Sequence, residues 1–357
     1  MPEGISRRDF LFLAVAGRVT APEWVRYPDP ATELEVFRLT DPQFSSGMVP
    51  PHLRQFTRHG EFLLYWSDRS GTRQAYLLDL KEGDSRQVTD AETLDPKCLT
   101  LSPEDRNILF IDGASLKEAP LLTIKPREIH RAADGTRLAW LNTGSDGTIY
   151  FAEIKNGRSR VIRIARQQTR AIAELEGELE SLEVRPRRTQ LLYRLRGSLW
   201  LMSSEGTSRR QIRVQDGQTG AAIWTPSGRT LIYLHTPDNP KELITAREFS
   251  PDDNTDKLLA KTSQFISIAP NADGSVFSGA SRSKGSAYVL ILLRAARREM
   301  TLCEHHASDP AMVNPVFSPD SQSVFFVSDR HGQPAVYRVP VAKFVEETET
   351  EAPLNPR

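Results

Sequence analysis

Short apolar runs alternate with polar turns from one end of this chain to the other, and the alternation has a period. Ser102-Pro103-Glu104-Asp105, Ala133-Asp134-Gly135, Thr225-Pro226-Ser227-Gly228, Asn271-Ala272-Asp273-Gly274 and Ser318-Pro319-Asp320-Ser321 each follow one apolar run. Each also precedes a β-rich run: Ile108 to Ile111, Arg137 to Leu141, Thr230 to Leu234, Val276 to Ala280 and Val324 to Val327. Arg58-His59-Gly60 and Arg185-Pro186-Arg187-Arg188 fill the same slot before Phe62 to Trp66 and Leu191 to Arg194. Seven copies result, at intervals of roughly 30 to 50 residues, the spacing of propeller blades.

Further strands complete the unit. A polar turn leads to a third run, as in Gln74 to Leu78, Ser198 to Met202 and Ala335 to Val339, and a fourth follows, as in Ser85 to Thr89 and Arg209 to Ile212. Four short strands make one twisted blade, whose faces must be covered by its neighbours. The pattern therefore predicts an all-β fold, a seven-bladed β-propeller forming a single domain over residues 34–341. The seventh copy shows three strands before a charged tail, 342–357, which reads as disordered. Glu35-Val36-Phe37-Arg38-Leu39-Thr40, upstream of the first copy, has the fourth-strand pattern and is expected to complete the last blade and close the ring. The repeat is weakest between Arg158 and Glu178, where a short helix is expected as an alternative.

Composition narrows the functions. Lys+Arg and Asp+Glu both number 46, so no basic surplus exists to displace counterions from nucleic acid. Cys98 and Cys303 are too few for a disulfide framework and lack partners at zinc-ligand spacing, so both read as core residues. No apolar stretch is long enough for a spanning helix. Ser6-Arg7-Arg8-Asp9-Phe10-Leu11, followed by Ala14-Val15-Ala16, resembles a twin-arginine export signal. Residues 1–20 are therefore set apart as a signal or arm. The expected location is periplasmic or extracellular if that signal is used, and cytoplasmic otherwise.

Function in a propeller gathers where the second-to-third turns meet the connections into each next blade. Those turns carry Arg69, Arg196, Arg282 and Arg330, and the connections were expected to add His52, Arg54, His130 and Arg131. Convergent guanidinium groups suit a carboxylate or phosphate, because the fork donates two parallel hydrogen bonds. His235, ending the second strand of the fifth blade, is the candidate acid/base histidine. The adjacent His305 and His306 are expected to point to opposite sides. The five tryptophans fall mostly on strands and read as core.

One family shares these features. Leu302-Cys303-Glu304-His305, then Asn314-Pro315-Val316-Phe317-Ser318-Pro319-Asp320 and Val324 to Arg330, resemble the last blade of oligogalacturonate lyases. Phe62 to Arg69, Tyr76 to Leu80 and Gly220 to Pro226 fit the same family. The Ser-Pro-Asp and Ser-Asp-Arg turns are also shared with propellers resembling the periplasmic protein TolB. The resemblance implies seven blades, a manganese-like divalent cation in the channel, and β-elimination of short galacturonates. It also implies a ligand set that this chain lacks. Asp309, Met312 and Asn314 stand where the family pattern has Gln, His and His; Ile266-Ser267 and Ala221 stand where further histidines are expected. Asp309 and Asn314 remain as weak metal contacts. The expected function is thus an oligogalacturonate lyase-like propeller directed at an oligouronate, with the catalytic part assigned to His235 and Arg196. Carboxylate binding falls to Arg69, Arg282, Arg330, His52 and Arg54. A divalent cation is expected only if the family site persists. The alternative is a non-catalytic TolB-like module binding a ligand or a protein.

Overall fold

The computed structural model describes residues 18–344 apart from 216, 263 and 343, so the arginine-pair signal and most of the charged tail lie outside the described residues. Seven antiparallel sheets follow one another as blades, five of four strands and two of five. Their first strands are Ser46–Met48, Leu94–Leu101, Arg137–Thr143, Leu179–Val184, Gln218–Trp224, Ala269–Pro270 and Val316–Phe317. In the described residues no helix is long and apolar enough to cross a membrane.

One strand explains why the middle runs are apolar throughout. In Phe62–Ser67, Leu63 and Tyr65 join Phe325 and Val336 of blade 7, while Phe62 and Leu64 join Leu99 and Phe110 of blade 2. Successive side chains on a strand point to opposite faces, and here both faces are buried. The result is an apolar cluster at each blade junction and no central core.

Closure is made as the sequence pattern suggests. Glu35–Arg38 pairs with Ala335–Pro340, placing Phe37 opposite Arg338 and Arg38 opposite Tyr337. The contact continues where Leu39 N donates to Val336 O at 2.8 Å and Val336 N donates to Thr40 Oγ1 at 3.0 Å. Val36 is fully buried between blades 6 and 7.

Other features differ from the sequence reading. Two strands lie upstream of residue 34: Val25–Pro28 outside Glu35–Arg38, and Val19–Thr20 outside Ser85–Gln87 of blade 1. Blade 3 is shifted by one strand. Arg137–Thr143 is its first strand, beside Leu94–Leu101 and Leu179–Val184, and not its second. Ala133-Asp134-Gly135 belongs to the connection from blade 2, and the equivalent turn is Gly144-Ser145-Asp146-Gly147. Residues 158–178 form the hairpin Arg158–Ala165 and Gln168–Leu175 and not a helix. Arg166 and Gln167 take the two left-handed positions of its tight turn, with φ of 49° and 63°.

Val36→Asp places a carboxylate without a partner in the closing seam, a change costing several kcal/mol. The thermal unfolding midpoint, followed by circular dichroism, is expected to fall by many degrees relative to wild type. An unchanged midpoint would show that this strand does not hold the ring.

Candidate functional site

Strand polarity gives the ring two chemically different ends. The second-to-third turns and the connections into each next blade lie at one end, here called upper. The first-to-second turns lie at the other, lower end.

The upper arginines divide into two kinds. Arg69 donates two bonds to Glu23, at 2.9 and 2.8 Å, and stacks over Tyr76 and Phe44. It is a tie between blade 1 and the upstream segment, not a free clamp. Arg330 donates to the Glu304 carbonyl at 2.8 Å and lies over Tyr27. Arg196 and Arg282 are exposed. Arg196 holds only a carbonyl, that of Glu176, at 2.9 Å. Arg194 beneath it braces the turn through the carbonyls of Gly197, Thr219 and Gly220. Among the described residues no carboxylate pairs with Arg196 or Arg282.

His235 and His305 are withdrawn from solvent. His235 is 3% exposed, with its Nδ1 3.5 Å from Thr245 Oγ1. Gly217 roofs it so closely that a Cβ there would lie 2.6 Å from Nε2, which explains glycine at φ 125°. His305 is fully buried, and burial pushes its pKa down to about 4. Its Nδ1 accepts from Ala307 N at 3.0 Å, so Nε2 carries the proton. His306 turns outward to Glu304 Oε2 at 2.7 Å, so the pair does point to opposite sides. His130 and Arg131 sit on the outermost strand of blade 2, away from the channel, where His130 pairs with Glu153 and Arg131 with Glu128.

The metal-ligand positions do not form a metal site. Asp309 accepts from Ala311 N at 2.9 Å, capping the turn Pro310–Met312. Asn314 donates to Ala311 O at 2.9 Å, and Met312 packs against the core between blades 6 and 7. No three His, Cys, Asp or Glu side chains converge among the described residues. A divalent cation needs more oxygen or imidazole donors than this set supplies.

His52 and Arg54 are at the lower end, not the upper one. The first strand of blade 1 is broken by an excursion between Met48 and Phe56, which resumes pairing at Leu63, and this excursion carries both residues into the lower channel. Arg54 is occupied by Asp105 at 2.7 Å and the Ser102 carbonyl at 2.7 Å. Burial of the His52 ring pushes its pKa down to about 4.

The lower channel has a residue layer that the sequence reading missed. One backbone N–H per blade closes the first-to-second turn, given by Thr57, Ser102, Gly144, Arg185, Thr225, Asn271 and Ser318. Two places before each donor stand Gln55, Thr100, Asn142, Glu183, Ile223, Ala269 and Val316, and all seven line the adjoining lower cavities of about 640 and 610 Å³. Blades 1 to 4 supply polar side chains to this layer and blades 5 to 7 apolar ones. Asn142 is satisfied by Leu182 O and Val184 N, and Thr100 by Arg54. Among the described residues Gln55 Oε1 and Glu183 Oε2 have no partner, although their residues are only 4% and 6% exposed. Burial pushes the Glu183 pKa up to about 8 against the pull of Arg194, so at neutral pH it is mostly an uncharged acid. Trp224, read from sequence as core, is buried under Arg185 but also reaches this cavity. Aligning the turns by their closing residue would have exposed Glu183: its slot holds Ile223 and Val316 in other blades.

No protein-family model matches the chain. The oligogalacturonide lyase of Pectobacterium atrosepticum is 22% identical over 378 residues, spanning 87% of this chain and 94% of the relative. The oligogalacturonate lyase of Dickeya dadantii is 20% identical with the same coverage. A solved oligogalacturonate lyase in complex with manganese superposes with a TM-score of 0.87 at 20% identity, covering 93% of this chain and all of the other. The chain has the propeller fold of oligogalacturonate lyases. That likeness fixes the ring, while the site residues are this chain's own.

The buried titrating groups predict a stability profile. Glu183 is raised from 4.5 to about 8 on folding, so its contribution is complete below pH 4.5 and is lost as pH climbs towards 8. His52 and His305, lowered from 6.5 to about 4, contribute above pH 6.5 and lose that contribution as pH falls towards 4. Stability is expected to be greatest near pH 6.5, by this linkage. Glu183→Gln should flatten the decline of the unfolding midpoint above pH 6.5 and steepen its rise between pH 4.5 and 6.5. Parallel alkaline declines for the two proteins would contradict the burial of Glu183.

Proposed function

We propose that this protein binds acidic oligosaccharides of the oligogalacturonate kind at its upper end, without metal-assisted β-elimination. The observation that carries the reading is the pair Arg196 and Arg282. They are presented by blades 4 and 6 on either side of blade 5, exposed and free of carboxylate partners among the described residues. A guanidinium so placed donates two parallel bonds to a uronate carboxylate and receives little competition from its own protein. The similarity to oligogalacturonate lyases along almost their whole length supports galacturonate as the sugar acid.

Elimination asks for more than binding. The proton beside the carboxylate leaves only if charge developing on that carboxylate is neutralised and a base reaches the carbon. Asp309 and Asn314 are committed to a turn, and His235 lies beneath Gly217. Arg196 and Arg282 can hold and orient a uronate, while Arg194 keeps the Arg196 turn in shape.

Calorimetry with trigalacturonate and with a neutral trisaccharide tests this directly. The acidic ligand is expected to bind at least tenfold more tightly. Arg196→Ala combined with Arg282→Ala should remove most of that difference, each lost charged pair being worth about 1.5–3 kcal/mol. Manganese added to the same preparation should neither be retained nor produce the ultraviolet absorbance of an unsaturated uronate. Equal binding of both sugars, or manganese-dependent absorbance, would overturn the reading.

A further inference from the structure

The lower channel is organised as a binding site in its own right. Its seven-residue layer is divided into a polar arc, Gln55, Thr100, Asn142 and Glu183, and an apolar arc, Ile223, Ala269 and Val316. Neighbouring inner strands satisfy the middle two polar residues, which leaves polar atoms without partners among the described residues at both ends of the arc: the acceptor Gln55 Oε1 and Oε2 of the protonated Glu183 carboxyl. A buried acceptor without a donor costs about 1–3 kcal/mol. A molecule bringing hydroxyls, which both donate and accept, to the two ends recovers that cost. The same molecule needs an apolar face for Ile223 and Val316. At the rim, Arg58 and Arg187 are exposed and line the cavity, and among the described residues no carboxylate pairs with either guanidinium. The Arg58 guanidinium donates to the Pro103 carbonyl at 3.1 Å, while its backbone N–H donates to Asp105 Oδ2 at 2.7 Å.

We propose that the lower channel end binds a single small polyhydroxylated carboxylate, of the size and shape of one pyranose acid. Its hydroxyls reach Gln55 and Glu183, its C–H face lies on the apolar arc, and its carboxylate meets Arg58 and Arg187. The hollow of about 640 Å³ accommodates one such ring together with water. This site is at the opposite end of the ring from Arg196 and Arg282, and it stands whether or not oligosaccharide binds there.

D-galacturonate monomer is the probe, with galactose as the uncharged control, both measured by ligand-observed magnetic resonance and calorimetry. Galacturonate is expected to bind in the millimolar range, and galactose at least tenfold more weakly. Arg58→Ala with Arg187→Ala, both on the exposed rim, should weaken galacturonate at least tenfold and leave galactose unchanged. Glu183→Leu should abolish binding of both, whereas Glu183→Gln, which keeps a donor and an acceptor, should retain it at pH 6. If Glu183→Leu does not fold, the rim pair and Glu183→Gln still decide. The monomer should bind the Arg196→Ala, Arg282→Ala protein as it binds wild type. Absence of monomer binding, or binding lost with Arg196 and Arg282 but indifferent to Arg58 and Arg187, would overturn the proposal.

Discussion

No blade of this protein can bury its own faces; each is covered only by the blades beside it. The apolar clusters lie between blades, one of them reaching the axis through Ala269 and Val316, so the stability of every junction depends on the ring being complete. That constraint explains the return of the N-terminal strand to the last blade. It also explains the stitching around that joint. Asp29 Oδ2 accepts from Glu304 N at 2.9 Å, and Thr32 Oγ1 donates to Leu302 O at 2.6 Å, so the upstream segment binds blade 6 as well as blade 7. Glu23 reaches onward to Arg69 and to Asp41 N, carrying the tie to blade 1.

Because the junctions carry the core, the innermost strands are partly released from packing. Their second and third strands must be apolar on both faces, whereas a residue beside the axis meets only the channel and the next inner strand. This freedom permits Gln55, Thr100, Asn142 and Glu183 where blades 5 to 7 keep apolar residues. A buried carboxyl is still expensive, and the protein meets the cost by holding Glu183 protonated and not by pairing it. Arg185, two residues on, shows the other solution. It is 1% exposed, yet Asp252 accepts from it at 2.9 and 3.0 Å, the Gly228 carbonyl at 2.6 Å, and Trp224 stacks beneath it.

The ring itself was legible in the sequence because its signals are local. Apolar runs such as Phe62 to Trp66 and Val324 to Val327 need no knowledge of their neighbours to be recognised as doubly buried strands. Blade 3 was misaligned because Ala133-Asp134-Gly135 has the same turn chemistry as Gly144-Ser145-Asp146-Gly147, and composition cannot say which lies at which end. The hairpin at Arg166 and Gln167 was hidden because its left-handed residues are neither Gly nor Asn. The site was less legible, since its members are set by long-range partners. Arg69 reads like Arg196 in its turn until Glu23, 46 residues upstream, is seen to occupy it. His52 and Arg54 were misplaced because an excursion interrupts the first strand of blade 1, carrying them to the lower end.

A ring built in this way separates architecture from chemistry, and the two ends of the channel need not evolve together. Asp309, Met312 and Asn314 serve a capped turn and a junction core just ahead of Val316–Phe317. The polar arc is made by residues two places before the turn-closing donors, a position fixed by backbone hydrogen bonding and not by side-chain identity. Substitution there alters what the channel can bind while the closing hydrogen bonds remain. A propeller with an altered upper site can therefore keep its fold unchanged, and its chemistry must be sought among side chains that no junction requires.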